Sequence, residues 1–269
     1  MADAIRIGTQ GWNYAQWVGP FYPAGTRAED FLRLYGRAFG TVEVDSTFYA
    51  VPPGKVVMSW ASKVPDDFRF ALKLPRAITH EQRLVDTRDA LAGFLDAARL
   101  LGPRLGPVLV QFGPDFGPEH RPALARFLPQ LPGDLRFAVE FRRRGWLIRP
   151  VLDLLRDYGV ALALVEGRWL SREKVLRLAE RPTADIAYVR LMGPDRSIED
   201  YSRVQVDRSA ELAVWTTTIR ALESRVREVY VYVNNHFEGH SPESARKLLQ
   251  MLYLDVVDLR RLADQTELF

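Results

Sequence analysis

Eight short, β-rich apolar runs bounded by chain breakers recur along this sequence, at residues 5–8, 41–45, 68–74, 107–112, 135–141, 160–166, 186–192 and 229–234. Their starts lie 25 to 43 residues apart, about the length of a βαβ unit. The gaps hold apolar residues at three-to-four spacing, which predicts helices over 28–39, 54–63, 87–101, 119–130, 150–158, 172–180, 208–225 and 242–252. Asp86 or Thr87 stands at the start of the third helix, and Ser241 with Pro242 opens the last. Eight alternating pairs without a Ser/Gly linker predict an α/β fold of one domain, a (β/α)8 barrel of the triosephosphate isomerase type. A doubly wound open sheet is the alternative.

Alternate side chains of a barrel strand face the helices or the lumen. In the second run Val42 and Val44 take the helix side and leave Glu43 and Asp45 inward. Phe68, Phe70, Leu72 and Leu74 likewise leave Arg69, Ala71 and Lys73 inward, and Phe137, Val139 and Phe141 leave Ala138, Glu140 and Arg142. The same count turns Gln111, Glu166, Arg190 and Asn234 inward. All come late in their strands, so Glu43, Lys73, Gln111, Glu140, Glu166, Arg190 and Asn234 are expected as a ring at the carboxyl mouth, where barrel enzymes keep their chemistry. Charges inside a barrel need partners, so the ring reads either as a site or as a buried ion-pair network.

Three connections exceed what linking requires. The segment 9–27 holds Gln10, Gly11, Trp12, Asn13, Tyr14, Trp17, Phe21 and Tyr22, aromatics that plug or roof the mouth or stack a ligand. The segment 45–53 sets Asp45 and Ser46 directly after Glu43, where they orient a polar ligand or cap a turn. The segment 193–207 follows the strand of Arg190, and Asn234-Asn235-His236 runs through Gly239-His240-Ser241 into the last helix, an anion cradle by its composition. His80 and His236 follow strands three and eight and so reach the mouth, whereas His120 is expected on the surface. A divalent metal would need these histidines together with Glu43, Glu140 or Glu166, and no H-E-x-x-H pattern occurs. Phosphate-loop, dinucleotide and nucleophile-elbow motifs are also missing, which argues against nucleotide-dependent oxidoreductases and serine hydrolases.

With no cysteine in 269 residues, thiolate metal sites, disulfides and cysteine nucleophiles are excluded. Net charge is +3, and of 37 basic residues only Lys55, Lys63, Lys73, Lys174 and Lys247 are lysines. The arginines suit phosphate and carboxylate, although 34 interspersed acids make most of them a solvated surface. Met1-Ala2-Asp3-Ala4-Ile5-Arg6 lacks the pattern of a signal peptide and no run reaches the length of a spanning helix, so a cytoplasmic protein without a membrane partner is expected.

One set of motifs runs through Ile7-Gly8-Thr9-Gln10-Gly11-Trp12-Asn13-Tyr14 with Trp17 and Phe21-Tyr22-Pro23, Val42-Glu43-Val44-Asp45-Ser46-Thr47-Phe48-Tyr49, and Phe70-Ala71-Leu72-Lys73-Leu74-Pro75 with Ile78-Thr79-His80. It continues through Leu109-Val110-Gln111-Phe112, Ala138-Val139-Glu140-Phe141-Arg142 with Trp146, Tyr188-Val189-Arg190-Leu191 and Tyr232-Val233-Asn234-Asn235. Together these motifs resemble the YecE-like family, a domain of unknown function (number 72). The resemblance implies one barrel domain over 1–269 and no particular reaction. The sequence departs from the family's pattern at Asp45, Met192 and Ser244, and Met192 removes an imidazole from beside Arg190.

The reading that follows is an enzyme acting on a small anionic or polyhydroxylated, phosphosugar-like substrate at the mouth. In it Glu43 or Glu140 is general base, Lys73 an electrostatic stabiliser or imine former, and Arg190 with Asn234 an anion clamp. Gln10, Trp12, Tyr14, Asp45, Ser46, His80, Gln111, Arg142 and Asn235 complete the expected binding set, with Glu166 a further acid. Metal-assisted cleavage of nucleic acid and a non-catalytic ligand-binding barrel are the alternatives.

Overall fold

The computed structural model describes residues 4–260 and 262; the termini of the expected 1–269 domain lie outside them. Eight strands, β1 (Ile5–Gln10), β2 (Thr41–Val44), β3 (Arg69–Lys73), β4 (Leu105–Gln111), β5 (Phe137–Glu140), β6 (Ala161–Gly167), β7 (Ile186–Gly193) and β8 (Glu228–Val233), pair in chain order, all parallel. β8 returns to β1 in register from Ile5 opposite Val229 to Thr9 opposite Val233, which closes the barrel. Around it run α1 (Phe31–Ala38), α2 (Gly54–Ser62), α3 (Arg88–Arg99), α4 (Arg121–Phe127), α5 (Arg149–Asp157), α6 (Arg172–Ala179), α7 (Ser209–Glu223), α8 (Asn235–Glu238) and α9 (Ser241–Met251). No helix among the described residues is long and apolar enough to cross a membrane.

Side-chain alternation divides the interior in two. The branched and aromatic members of the strands, among them Ile7, Val42, Phe70, Val110, Val139, Leu164, Val189 and Val231, pack under the helices. The lumen takes Ala71, Leu109, Ala138, Ala161, Ala163, Val165, Ile186, Tyr188, Tyr230 and Tyr232. Small residues on β3, β5 and β6 leave room for the tyrosines of β7 and β8. Tyr188 and Tyr232 have ring centroids 5.1 Å apart, and the Tyr232 hydroxyl lies 2.8 Å from Thr41 Oγ1, so the middle of the barrel is filled. At the amino end Arg6 donates to Glu228 at 3.2 Å and to the Asp67 carbonyl at 2.9 Å. β1 approaches β2 so closely that a Cβ at Gly8 would stand 2.0 Å from the Thr41 carbonyl oxygen, which requires glycine there.

The aromatic connection after β1 packs into the helix-side core rather than over the lumen. Trp17 and Tyr22 are fully buried, Tyr22 stacks on Phe31 at 4.5 Å, and Trp12 meets Trp60 edge-on at 5.6 Å on the helix side. Two expected caps are absent. Thr87 occupies the N-cap position of α3 without a capping bond. Ser241 is already the first residue of α9, and its hydroxyl donates to Asn235 Oδ1.

Candidate functional site

Late residues of β2, β5 and β7 meet across the carboxyl end of the lumen. Arg190 points inward from β7 and donates through Nε and Nη2 to the two carboxylate oxygens of Glu43, at 2.9 and 2.7 Å. Its Nη1 donates to Glu140 Oε2. Glu43 also accepts the Tyr188 hydroxyl at 2.7 Å, and Glu140 accepts Gln111 Nε2 at 2.7 Å and Arg142 Nε at 3.4 Å. Arg190 is 1% exposed and Glu43 0%. The expected anion clamp is therefore a correction: three of the five N–H donors of this buried guanidinium are already spent on two carboxylates, which makes Arg190 part of an ion-pair cluster beneath the mouth.

Both acids are buried, and their neighbours set them apart. Desolvation pushes the Glu43 carboxyl up against the pull of Arg190. At Glu140 the same desolvation is outweighed by Arg190, Arg142, Gln111 and Lys73, which hold the carboxyl at about 2. Glu43 lies beneath Arg190 and away from solvent, whereas Glu140 lines an open cleft.

That cleft, about 50 Å³, is the size of a small oxyanion rather than of a large ligand. Arg142, Arg168 and Arg196 line it with His236 and Trp169, against the carboxylates of Glu140 and Asp195. Asp195 turns its Oδ1 onto the Ser197 backbone N–H and hydroxyl. Arg168 and Arg142 stand 4.3 and 5.3 Å from the Trp169 ring centroid. Arg168 and Arg196 have no carboxylate partner among the described residues. His236 keeps a buried Nδ1 without a hydrogen-bond partner, and burial followed by Arg196 lowers its pKa, so the ring is neutral near pH 7. Gly193 turns the chain at φ +75°, and a Cβ there would meet the His236 carbonyl oxygen at 2.2 Å. A wider groove of about 510 Å³ runs between α5 and α6, but Arg149, Arg156 and Arg177 there already face Asp153 and Glu173 and no strand residue lines it.

On the other side of the mouth Lys73, the last residue of β3, stands 3.7 Å from Asp45 Oδ1 and 4.1 Å from the Phe48 ring centroid. Burial lowers its pKa, with Arg190 adding to the effect and Asp45, Glu43 and Glu140 opposing it. His80 packs edge-on against Phe48 at 5.0 Å with Nδ1 2.8 Å from Thr79 Oγ1, and burial, then Arg142 and Lys73, lowers its pKa.

The remaining expected residues divide. Gln10 accepts Asn234 Nδ2 at 2.8 Å and contacts Met192 Sδ, and Tyr14 donates to the Gln10 carbonyl at 3.0 Å, so both edge the mouth. Asn234 caps α8 by accepting the His236 N–H at 2.9 Å while its amide nitrogen donates to Gln10. Asn235 is buried and holds the start of α9 through Ser241, Trp12 packs away from the mouth, and Ser46 is exposed on a turn. Glu166 is a second correction: it faces outward and receives Arg172 at 2.8 Å and Trp215 Nε1 at 2.9 Å, within the helix layer. Tyr188, Arg168, Trp169 and Arg196 were not singled out from the sequence. Tyr188 shares the inward parity of Arg190, and the Arg168-Trp169 pair directly after β6 is a signal of the same kind as the other mouth loops.

Among the described residues no three His, Asp or Glu side chains come together to hold a metal ion. Glu43 is sealed under Arg190 and Glu166 points to the helices, so neither meets a histidine.

In comparisons with known proteins, the chain is 38% identical over 138 residues to UPF0759 protein YecE of Escherichia coli K12, a stretch covering 51% of this chain and 48% of that protein. It is 25% identical over 272 residues to UPF0759 protein YunF of Bacillus subtilis, covering 93% of this chain and 95% of that one. The crystal structure of a DUF72 family protein from Thermotoga maritima superposes with a TM-score of 0.79 at 26% identity, covering 93% of this chain and all of the other. A DUF72 family protein from Enterococcus faecalis shares the fold with a TM-score of 0.75 at 22% identity over 93% of this chain and 98% of that one. The model of the protein family of unknown function DUF72 matches residues 6–267, and the chain belongs to that family.

Proposed function

We propose that the molecule is an enzyme for a small anionic, phosphosugar-like substrate, whose charged group rests among Arg142, Arg168, Arg196 and His236 at the carboxyl mouth. The observation that carries this reading is the juxtaposition of Arg168 and Arg196, which lack carboxylate partners among the described residues, with Arg142 and an ionised Glu140 in one small cleft. Guanidinium forks match phosphate oxygens two at a time, and Trp169 backs two of them, which favours an oxyanion over a neutral ligand. Glu140, held as a carboxylate, accepts a substrate hydroxyl and orients it. His80 and His236, both neutral at pH 7 through burial, are the groups able to take a proton there. Glu43 and Arg190 hold Glu140 in place rather than touch substrate. Metal-assisted cleavage of nucleic acid has less support, since the described residues offer no metal donor set.

Calorimetric titration of inorganic phosphate and of sugar phosphates is the direct test. Wild type is expected to bind, and Arg142→Gln or Arg196→Gln to weaken binding by about tenfold or more, because one charge-assisted contact contributes roughly 1.5–3 kcal/mol. Sugar phosphates that turn over should cease to do so in Glu140→Gln; binding that persists unchanged in both arginine variants removes the cleft from the mechanism.

A further inference from the structure

We propose that Lys73 is the covalent centre of this mouth, its amine condensing with the carbonyl carbon of an aldehyde or ketone that also bears a phosphate or carboxylate. The inference rests on the preceding reading for the seat of that charged group and adds the class of substrate. Of the five lysines, Lys73 is the one carried on a barrel strand, and it is 9% exposed. Its backbone is pinned on both sides by Thr47, whose hydroxyl accepts the Lys73 N–H at 3.1 Å and donates to the Lys73 carbonyl at 2.7 Å. The stem therefore leaves a fixed point and the Nζ atom has a narrow range.

The surroundings of Nζ favour a nucleophile over a salt bridge. An ammonium carries three donors, yet the nearest acid oxygen, Asp45 Oδ1, is 3.7 Å away and beyond hydrogen-bond reach. That oxygen is itself buried with no hydrogen-bond partner. The Phe48 ring closes one side at 4.1 Å. Lys63 and Lys247, by contrast, donate to oxygens at 3.0 Å. Burial works on Lys73 in the same direction as the geometry, since it lowers the amine's proton affinity. A gap between an amine and an unpartnered carboxylate oxygen is the space a carbinolamine hydroxyl needs. Glu140, which lines the arginine cleft, also feels the charge of Lys73, so amine and cleft belong to one mouth.

The step balances without a co-reactant. The amine lone pair forms the C–N bond as the carbonyl π pair moves to oxygen, and Asp45 relays the proton from nitrogen to that oxygen. The resulting hydroxyl then leaves as water, with the second nitrogen proton, while the nitrogen pair closes the C=N bond. One amine and one carbonyl yield one imine and one water, with no change in oxidation state.

The experiment incubates the full chain with glyceraldehyde 3-phosphate and sodium cyanoborohydride, then maps the reduced adduct by peptide mass spectrometry, with calorimetric phosphate binding measured alongside. The expected result is one adduct, at Lys73, suppressed by inorganic phosphate and lost in Lys73→Met and Lys73→Arg, both with wild-type circular dichroism. Asp45→Asn should slow its formation severalfold while leaving phosphate affinity unchanged. Adduct spread equally over Lys55, Lys63, Lys174 and Lys247 while phosphate still binds overturns the imine and leaves the arginine cleft standing. Glycolaldehyde, which carries no charge, separates the two ideas from the other side. Trapping by glycolaldehyde at Lys73, with no phosphate binding and no competition by phosphate, overturns the charged-substrate class and the cleft with it.

Discussion

Arg190 carries the heaviest electrostatic duty of any single side chain in the barrel. Two carboxylates from β2 and β5 face each other across the lumen with its guanidinium between them. Replacing Arg190 with methionine keeps most of the volume and removes the charge, leaving Glu43 with no cation bonded to it and Glu140 with Arg142 alone. We expect Arg190→Met to cost about 3–5 kcal/mol in urea unfolding, and the triple variant Glu43→Gln/Glu140→Gln/Arg190→Met to recover a substantial part of that loss. A loss below about 1 kcal/mol for the single change would show that water reaches the cluster and screens it. Side-chain alternation in the sequence sets Arg190, Glu43 and Glu140 in one layer. It did not reveal that they satisfy one another, because parity specifies the face of a strand and not the partner across the lumen.

At the level of elements, β6 shows how the same alternation misleads. Its residues Ala161, Ala163 and Val165 face the lumen, and Leu162 and Leu164 face the helices. Both series are apolar, so polarity alone does not orient this strand; size does, since the larger residues of β3 and β5 also go outward. Glu166 follows the leucines and ends between α6 and α7. Glu166→Gln is accordingly expected to lower stability by about 1 kcal/mol, the scale of one partly exposed charged contact, with phosphate affinity unchanged; a large loss of affinity would return Glu166 to the mouth. The strands themselves were legible to within about two residues at their ends, because each is a β-branched or aromatic run between breakers. The helix Asn235–Glu238 was not, since four residues are too few to show a helical period.

For the whole molecule the buried acids set the response to pH. Glu140 has a folded pKa of about 2 against an ordinary value of 4.5, so it adds stability that is fully present above 4.5 and fades as pH falls toward 2. Glu43, pushed up by burial, acts in the opposite sense and offsets part of that loss. The stability difference between wild type and Glu140→Gln should therefore shrink as unfolding is measured from pH 6 down to pH 2.5, and a constant difference would contradict the ionised state of Glu140. Tyr188, Tyr230 and Tyr232 fill the centre of the barrel below this layer of charge. With the middle of the barrel filled, no path runs through the lumen, so whatever enters at the carboxyl end can leave only by that end.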